Sequence, residues 1–330
     1  MPHIQPIKIA CLGVAKDFQE SLFVLILKSL GYTPIWSNAH NCDLLIYGPF
    51  YKAPKIRQWT PKALRPFIKQ LMLHADEKRN SQLSRPLSLM ITGENTRHDF
   101  QNCDYAISFD LGVSKPNCFR MPYWMEMVDW SEEGVSGNQN PRFGRLLNLN
   151  RLMSPLGEDF LSRPQKVAIF ASHLREPRGT LLAAVKNNIE VVEFGRSFDP
   201  LIKNHTESGL IKYDELQHFA FNLCPENGMF PGYYTEKVPE AFMAGCLPIT
   251  WADENIKVDF NPKAFINLAP MSGSHFSELA EILHSKQILA SYADQPLLLQ
   301  RPTLEPLKKY LKNIIQTALS KLPWEPRIFT

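Results

Sequence analysis

Short apolar runs alternate with amphipathic stretches along most of this chain, and this alternation is the feature that most constrains its fold. It is typical of α/β domains, in which helices cover the faces of a mostly parallel sheet. The predicted strands are residues 7–12, 34–36, 43–47, 87–92, 105–109, 167–171, 191–194, 219–224 and 247–251. The predicted helices are residues 17–30, 61–77, 146–161, 179–187, 213–218, a segment that begins within 235–239 and ends at 245, and 305–322.

The length of the chain indicates two domains. Its 330 residues exceed the size at which one hydrophobic core usually stops growing. We therefore expect an N-terminal domain over residues 1–160 and a C-terminal domain over residues 161–330. The predicted C-terminal helix is amphipathic with a basic polar face, and we expect it to pack across both domains. Attraction of this face to anionic lipids is the alternative.

Composition excludes several classes of protein. Thirty-six Lys and Arg residues against 33 Asp and Glu give a net charge of only +3, which disfavours a dedicated nucleic-acid binder. No apolar window is long enough to span a membrane, and the first residues lack the pattern of a secretory signal. The six cysteines are scattered without a CxxC pair, which favours reduced thiols in a cytoplasmic protein over disulfides or a zinc site.

The polar loop NLCPENGMFPGYYTEK, residues 222–237, follows a predicted strand and leads into a helix. Ligands of open α/β sheets bind at such positions. Because proline is tolerated only in the first turn of a helix, Pro239 places the helix start at the end of this loop, with its positive N-terminus facing the loop. Lys237 adds a full charge there, while Glu236 and Tyr233 have side chains suited to sugar hydroxyls. The combination predicts a site for a sugar nucleotide.

A simpler interpretation of the same residues stands beside this one. Thr235 and Glu236 are also residue types that cap helices, and Lys237 could then be a solvated surface charge. The pattern alone gives the two interpretations equal weight.

Three ordered segments resemble the α-1,3/1,4-fucosyltransferase family. The most specific is ENGMFPGYYTEKVPEAFMAGCLPITWA, residues 226–252, followed by DFNPKAFINL at 259–268. The second is TGENTRHDFQNCDYAISFD at residues 92–110 with FRMPYW at 119–124, and the third and weaker one is FASHLREPRGTLL at 170–182. Their order and separation agree with the family over most of residues 87–268.

The resemblance implies a GT-B fold, with two Rossmann-like domains facing a central cleft. GDP-fucose would bind the C-terminal domain and the acceptor the N-terminal domain. Transfer would invert the configuration at the fucose anomeric carbon, with Glu94 as the general base that takes the proton of the acceptor hydroxyl. A salt bridge to Arg97, or capping of the following turn, is the structural alternative for Glu94.

The family match also implies how the departing GDP is stabilised. Lys237 and Arg178 would neutralise its phosphates without a metal ion. Arg175 lies three residues before Arg178 and is a plausible substitute, and a solvated arginine at a helix start is the simpler interpretation of Arg178.

Further donor contacts follow from positions in the matched segments. The residues concerned are Asn227, Tyr233, Glu236, Glu226, Gly195 and Arg196. For Glu226 the alternative is capping or pairing with Lys237. Gly195 and Arg196 follow a predicted strand, but the glycine-richer turn of the family is absent. The aromatic and methionine cluster at residues 121–127 is expected to pack between domains, an acceptor platform being the alternative.

Other chemistries lack their motifs. The chain has no D-x-D triplet, H-E-x-x-H, Walker A loop, G-x-G-x-x-G or G-x-S-x-G, and its nine histidines show no metal-ligand spacing. We therefore expect no cofactor or metal, with GDP-fucose as the donor substrate.

The acceptor is left open by the sequence. A hydroxyl of an oligosaccharide or lipid-linked glycan, such as O3 of GlcNAc or Glc, is implied by the family, in glycan synthesis of the lipopolysaccharide or glycoprotein kind. Specificity for the acceptor would lie in loops 48–60 and 125–145, where no motif occurs.

The resemblance also leaves an alternative for the donor. Pro225 stands where family members commonly carry an aromatic residue, so another GDP-6-deoxyhexose is an alternative donor. A catalytically silent nucleotide- or glycan-binding homologue is the other alternative. A cytoplasmic enzyme in peripheral contact with the inner membrane is the expected setting.

Overall fold

Two parallel β-sheets organise the molecule, and the prediction of an α/β architecture is confirmed. The computed structural model describes residues 5–51, 86–96, 103–113, 117–138, 143–199, 205–270 and 276–320. The helix predicted at residues 61–77 lies outside them. The first sheet has the strand order β2-β1-β3-β4-β5-β6 and the second has the order β11-β10-β9-β7-β8.

The strands occur close to where the apolar runs predict them. In the first sheet they are β1 Gln5–Leu12, β2 Tyr32–Trp36, β3 Leu44–Tyr47, β4 Leu87–Ile91, β5 Tyr105–Ser108 and β6 Cys118–Arg120. In the second they are β7 Val167–Phe170, β8 Val191–Phe194, β9 Phe221–Leu223, β10 Leu247–Thr250 and β11 Ile266–Asn267. β6 and β11 were not predicted, since runs of three and two residues carry no usable periodicity.

Nine α-helices lie within the described residues. They are α1 Leu22–Ser29, α2 Leu149–Leu152, α3 Asp159–Ser162, α4 Arg178–Lys186, α5 His205–Leu216, α6 Lys237–Met243, α7 Phe276–His284, α8 Lys286–Ala293 and α9 Glu305–Leu319. The prediction of one helix over residues 146–161 is wrong. Pro155 and Gly157, whose φ is 82°, separate α2 from α3 and end the helical run. The helix predicted at 213–218 begins earlier, at His205. α7 and α8 were missed.

Each sheet reverses its strand order at one point. In the first sheet β1 lies between β2 and β3, and in the second β7 lies between β8 and β9. Loops that leave neighbouring strands in opposite directions open a crevice at the carboxyl ends of these strands, which is where α/β sheets bind ligands. The fold therefore offers one crevice in each half of the molecule.

Two sets of contacts join the halves. The guanidinium of Arg120, on β6, donates from both terminal nitrogens to the carboxylate of Asp259, each at 2.9 Å. α9 follows the second sheet in the chain and reaches back to the first, where the Tyr310 hydroxyl donates to the Asn117 carbonyl at 2.6 Å. The Leu304 amide at its start donates to Glu133 at 2.8 Å. None of the described helices is both long enough and apolar enough to cross a bilayer.

Candidate active site

A cavity of about 420 Å³ lies at the carboxyl ends of β7, β8 and β9 and opens toward the loop after β4. Nine residues were predicted from sequence as site residues. Eight of them line this cavity, namely Glu94, Arg178, Gly195, Arg196, Asn227, Tyr233, Glu236 and Lys237. The fold thus brings together residues that lie more than 140 positions apart in the chain.

The ninth residue, Glu226, lies behind the cavity wall. It is 1% exposed, and its carboxylate accepts hydrogen bonds from the Thr235 amide at 2.8 Å, the Thr235 hydroxyl at 2.8 Å and Lys237 Nζ at 3.0 Å. The pairing with Lys237, which the sequence left as an alternative, is therefore present. Glu226 closes the polar loop onto itself and leaves ligand contact to its neighbours.

Lys237 is held in place rather than solvated. Its side chain is 17% exposed, and its ammonium group donates to Glu226 and, at 2.6 Å, to the Thr235 hydroxyl. Burial alone would lower the pKa of Lys237, but the carboxylates of Glu226 and Glu236 outweigh burial and raise the pKa above its usual value. The cavity therefore has a permanent positive charge at this position.

The helix start has the predicted position without the predicted caps. α6 begins at Lys237, and Glu236 precedes it without making a side-chain capping hydrogen bond. The Thr235 hydroxyl donates to Glu226 instead of capping the helix. Pro239 is buried in the first turn. Neither Thr235 nor Glu236 therefore caps α6 with its side chain, and Glu236 lines the cavity.

Arg178, at the start of α4, is one of two arginines that line the cavity, the other being Arg196. Arg178 is 8% exposed. Its guanidinium donates to the Asn227 side-chain oxygen and, at 3.3 Å, to the His173 carbonyl. Burial lowers the pKa of Arg178 from its usual value, with Glu226 acting in the opposite direction. Arg175 is exposed and does not line the cavity.

Tyr233 and Gly195 shape two other walls. Tyr233 is 2% exposed, its ring packs edge-on against Phe109 with centroids 5.1 Å apart, and burial raises its pKa to about 12, so the phenol stays protonated and can donate. Gly195 follows β8 with φ of 99°, and a Cβ there would lie 2.8 Å from the Ala171 carbonyl oxygen. Glycine is needed at this turn both for its backbone angle and for its close approach to β7.

Glu94 lies where two cavities meet. It follows β4, in a turn in which the Thr92 hydroxyl donates to the Glu94 carbonyl at 2.9 Å. Gly93, Glu94 and Tyr123 line both the first cavity and a second one of about 680 Å³. Arg97, the alternative partner of Glu94, lies outside the described residues.

The second cavity occupies the crevice of the first sheet. Its lining comes from the segments after β1, β3 and β4 and from loop residues between 123 and 146. Apolar members include Val14, Phe18, Phe50, Met127 and Leu146. Tyr123, which was expected to pack between domains, lines both cavities, while its neighbour Trp124 is 3% exposed and belongs to the core.

Comparison with known proteins agrees with this geometry. Residues 160–292 match the family described as glycosyltransferase family 10 (fucosyltransferase) C-term, and residues 76–127 match the alpha-(1,3)-fucosyltransferase FucT N-terminal domain. Together the two matched segments span more than half of the chain, and each contains residues that line the first cavity. The chain belongs to the glycosyltransferase family 10 fucosyltransferases.

Known fucosyltransferases are similar in sequence and in fold. The curated alpha-(1,3)-fucosyltransferase FucT of Helicobacter pylori is 26% identical over 269 residues, which are 77% of this chain and 51% of that protein. This chain thus spans about half the length of that relative. A crystal structure of an alpha1,3-fucosyltransferase superposes with a TM-score of 0.65 at 23% identity, covering 94% of this chain and 90% of the other. A structure described as an alpha1,3-fucosyltransferase with GDP-fucose superposes with a TM-score of 0.63 at 21% identity, covering 94% of this chain and 91% of the other. The fold is accordingly of the GT-B type.

The sequence missed several residues that line the first cavity of this family 10 member. His173 follows β7 inside the third matched segment, where a polar residue directly after a buried strand could have been noticed. Lys212 lies on α5, upstream of the polar loop, and no motif marks it. Among the described residues, no group of three or more His, Cys, Asp or Glu side chains has a geometry able to hold a metal ion.

Proposed function

We propose that this protein transfers L-fucose from GDP-fucose to a hydroxyl group of a glycan acceptor. The observation that carries the proposal is the position of Glu94, which faces the cavity that holds Arg178 and Lys237 and also lines the second cavity. Membership of the fucosyltransferase family supports the donor, as does the likeness to an enzyme whose structure is described with GDP-fucose.

The first cavity suits a nucleoside diphosphate sugar. Arg178 and Lys237 are cations held at its wall by neighbouring side chains, so they need little reorganisation when a diphosphate binds. Glu236 and Tyr233 offer an acceptor and a donor for sugar hydroxyls. Gly195 and Arg196, in the turn after β8, line the same cavity.

The transfer step that we propose is a single inverting displacement. The Glu94 carboxylate takes the proton of the acceptor hydroxyl while its oxygen forms a bond to the anomeric carbon of fucose. The bond from that carbon to the phosphate oxygen breaks on the opposite face, and GDP departs with the bonding electrons. Arg178 and Lys237 stabilise the charge that develops on GDP, so we expect no requirement for a metal ion.

The second cavity is the place for the acceptor. It lies in the half of the molecule opposite the donor cavity, and the two are joined at Glu94, where a hydroxyl must meet the fucose carbon. Its aromatic lining at Phe18, Phe50 and Tyr123 suits the apolar faces of sugar rings. We propose O3 of a GlcNAc or Glc residue, in an oligosaccharide or a lipid-linked glycan, as the attacking hydroxyl.

A related donor is the second candidate. Pro225, which stands where relatives carry an aromatic residue, lines the donor cavity. A change at the wall can alter which sugar fits, so another GDP-6-deoxyhexose is the alternative substrate. A catalytically silent homologue would bind GDP without turning over any GDP-sugar.

Nucleotide binding tests the donor assignment. We expect GDP, but not UDP, CDP or ADP, to raise the melting temperature of the purified protein, because binding at 100 times the dissociation constant stabilises a fold by about 2.7 kcal/mol. Lys237→Ala should abolish the GDP shift, whereas Lys257→Ala, which changes a lysine outside the cavity, should retain it.

Turnover of GDP-fucose separates the remaining candidates. Release of GDP with a GlcNAc- or Glc-containing acceptor supports the proposal. Release with another GDP-6-deoxyhexose only would favour the alternative donor, and GDP binding without any release would favour the silent homologue. A melting shift for a nucleotide other than GDP would contradict the donor assignment itself.

A further inference from the structure

A second lysine of the donor cavity, Lys212, is built into the wall in the same way as Lys237. Its side chain is 13% exposed, lines the cavity and donates to the carboxylate of Glu240 at 2.5 Å. Lys237, with 17% exposure, donates to Glu226 at 3.0 Å. In both pairs the glutamate lies behind the wall, with side-chain exposures of 2% for Glu240 and 1% for Glu226. The fold therefore presents two ammonium groups to one cavity, each backed by a buried carboxylate.

Stability does not account for the Lys212–Glu240 pair. Moving both charges out of water costs several kcal/mol, and replacing such pairs by apolar residues of similar volume is often neutral or stabilising. The Glu240 carboxylate is incompletely satisfied as well, because its Oε1 has no hydrogen-bond partner in the described part of the chain. A buried ion pair is therefore weak evidence for a stabilising role, and we look to the cavity for the function of this one.

Lys212 has the capacity to bind an anion. An ammonium group has three donors, and the described residues account for one of them, at Glu240. Burial alone would lower the pKa of Lys212, but Glu240 and Glu236 outweigh burial and raise the pKa, so the group stays charged. The Phe143 ring lies 5.9 Å from the nitrogen, a distance at which it supports a cation without using a donor.

We propose that Lys212 donates directly to the diphosphate of the bound sugar nucleotide, with Glu240 holding its ammonium group at the cavity wall. This assignment rests on the proposed function. Four cationic side chains line the cavity, namely Arg178, Arg196, Lys212 and Lys237. Glu94 and Glu236 line it as well, and the carboxylates of Glu226 and Glu240 pair with the two lysines from behind the wall.

Calorimetric titration of GDP into matched variants of the full chain tests the role of Lys212. Lys212→Met should weaken GDP binding by about tenfold to a hundredfold, the usual effect of losing a hydrogen bond to a charged group. Lys212→Arg, which keeps the charge, should recover most of the affinity. Glu240→Gln should retain GDP binding, because the ammonium group remains. Lys308→Met is the control, since Lys308 is also 13% exposed and paired with a glutamate but lies on α9, outside the cavity.

A double variant distinguishes loss of GDP binding from loss of folding. Lys212→Met with Glu240→Leu removes both charges and keeps an apolar contact, so it should fold and still lose GDP affinity. Wild-type affinity in this variant or in folded Lys212→Met would overturn the assignment, and so would equal losses in Lys212→Met and Glu240→Gln. Failure of the unmodified chain to bind GDP would instead overturn the proposed function.

Discussion

Single residues behind the cavity wall decide how the residues at its surface act. Glu226 touches no part of the cavity, yet its carboxylate positions Lys237 and closes the loop through Thr235. Asn227 in turn accepts a hydrogen bond from Arg178 across 49 positions of the chain. A surface charge fixed in this way is oriented before the ligand arrives, which is what stabilisation of a developing charge requires.

Glu94 carries the sharpest prediction at this scale. Glu94→Gln keeps the shape of the side chain but cannot take a proton, so we expect transfer to fall by about 10² to 10⁴-fold with GDP binding unchanged. Initial rates of GDP release and calorimetric GDP affinity, measured together, separate the two effects. Glu190→Gln is the control, because Glu190 forms an exposed surface pair with Lys166. A parallel loss of GDP affinity in Glu94→Gln would assign Glu94 to donor binding instead.

Secondary-structure elements bring the site together through the turns that follow their strands. The turns after β7, β8 and β9 supply one side of the first cavity, and the turn after β4 supplies Glu94. Short apolar runs with Gly or Pro close to their ends made these strands predictable. The break between α2 and α3 is marked in the sequence by Pro155 and Gly157, although the apolar residues on either side favour one continuous helix. β6 and β11 are defined by pairing with their neighbours, which no local pattern reports.

The turn after β8 offers a test of one such element. Gly195→Ala places a methyl group 2.8 Å from the Ala171 carbonyl oxygen at a positive φ, so we expect lower stability and weaker GDP binding. Gly134→Ala is the matched control, because Gly134 also has a positive φ, 76°, but has open space around it. Backbone strain alone should cost the control about 1 kcal/mol. Equal unfolding midpoints in urea for the two variants would show that the contact with β7 is unimportant.

At the scale of the whole molecule, function depends on how the two halves face each other. Glu94 comes from one half, and the cations Arg178 and Lys237 come from the other. Their separation is set by contacts such as that of Arg120 with Asp259 and by the packing of α9. The Ala106 carbonyl lies 3.1 Å from the Tyr310 hydroxyl and shares the proton that the hydroxyl donates to Asn117, which ties α9 to β5 of the first sheet.

Arg120 tests this connection. Arg120→Met leaves the Asp259 carboxylate, 7% exposed, without its bidentate partner, so we expect a loss of about 3 kcal/mol in the free energy of unfolding. Arg120→Met with Asp259→Leu should recover part of this loss, because no unpaired charge remains. Lys166→Met, which breaks the exposed pair with Glu190, should cost less than about 1 kcal/mol. A loss for Arg120→Met as small as for Lys166→Met would show that the halves are held by other contacts.

The sequence by itself determined the α/β class, the position of nearly every strand and the polar loop, residues 222–237, that contributes to the first cavity. Strand length, apolar periodicity and the helix start near Pro239 depend on neighbouring residues, so they can be recognised locally. Only the tertiary structure decided that Arg178 rather than Arg175 enters the cavity, that Glu226 lies behind it and that Lys212 joins it. These outcomes depend on contacts between residues far apart in the chain, and the order of residues does not reveal which side chains share a wall.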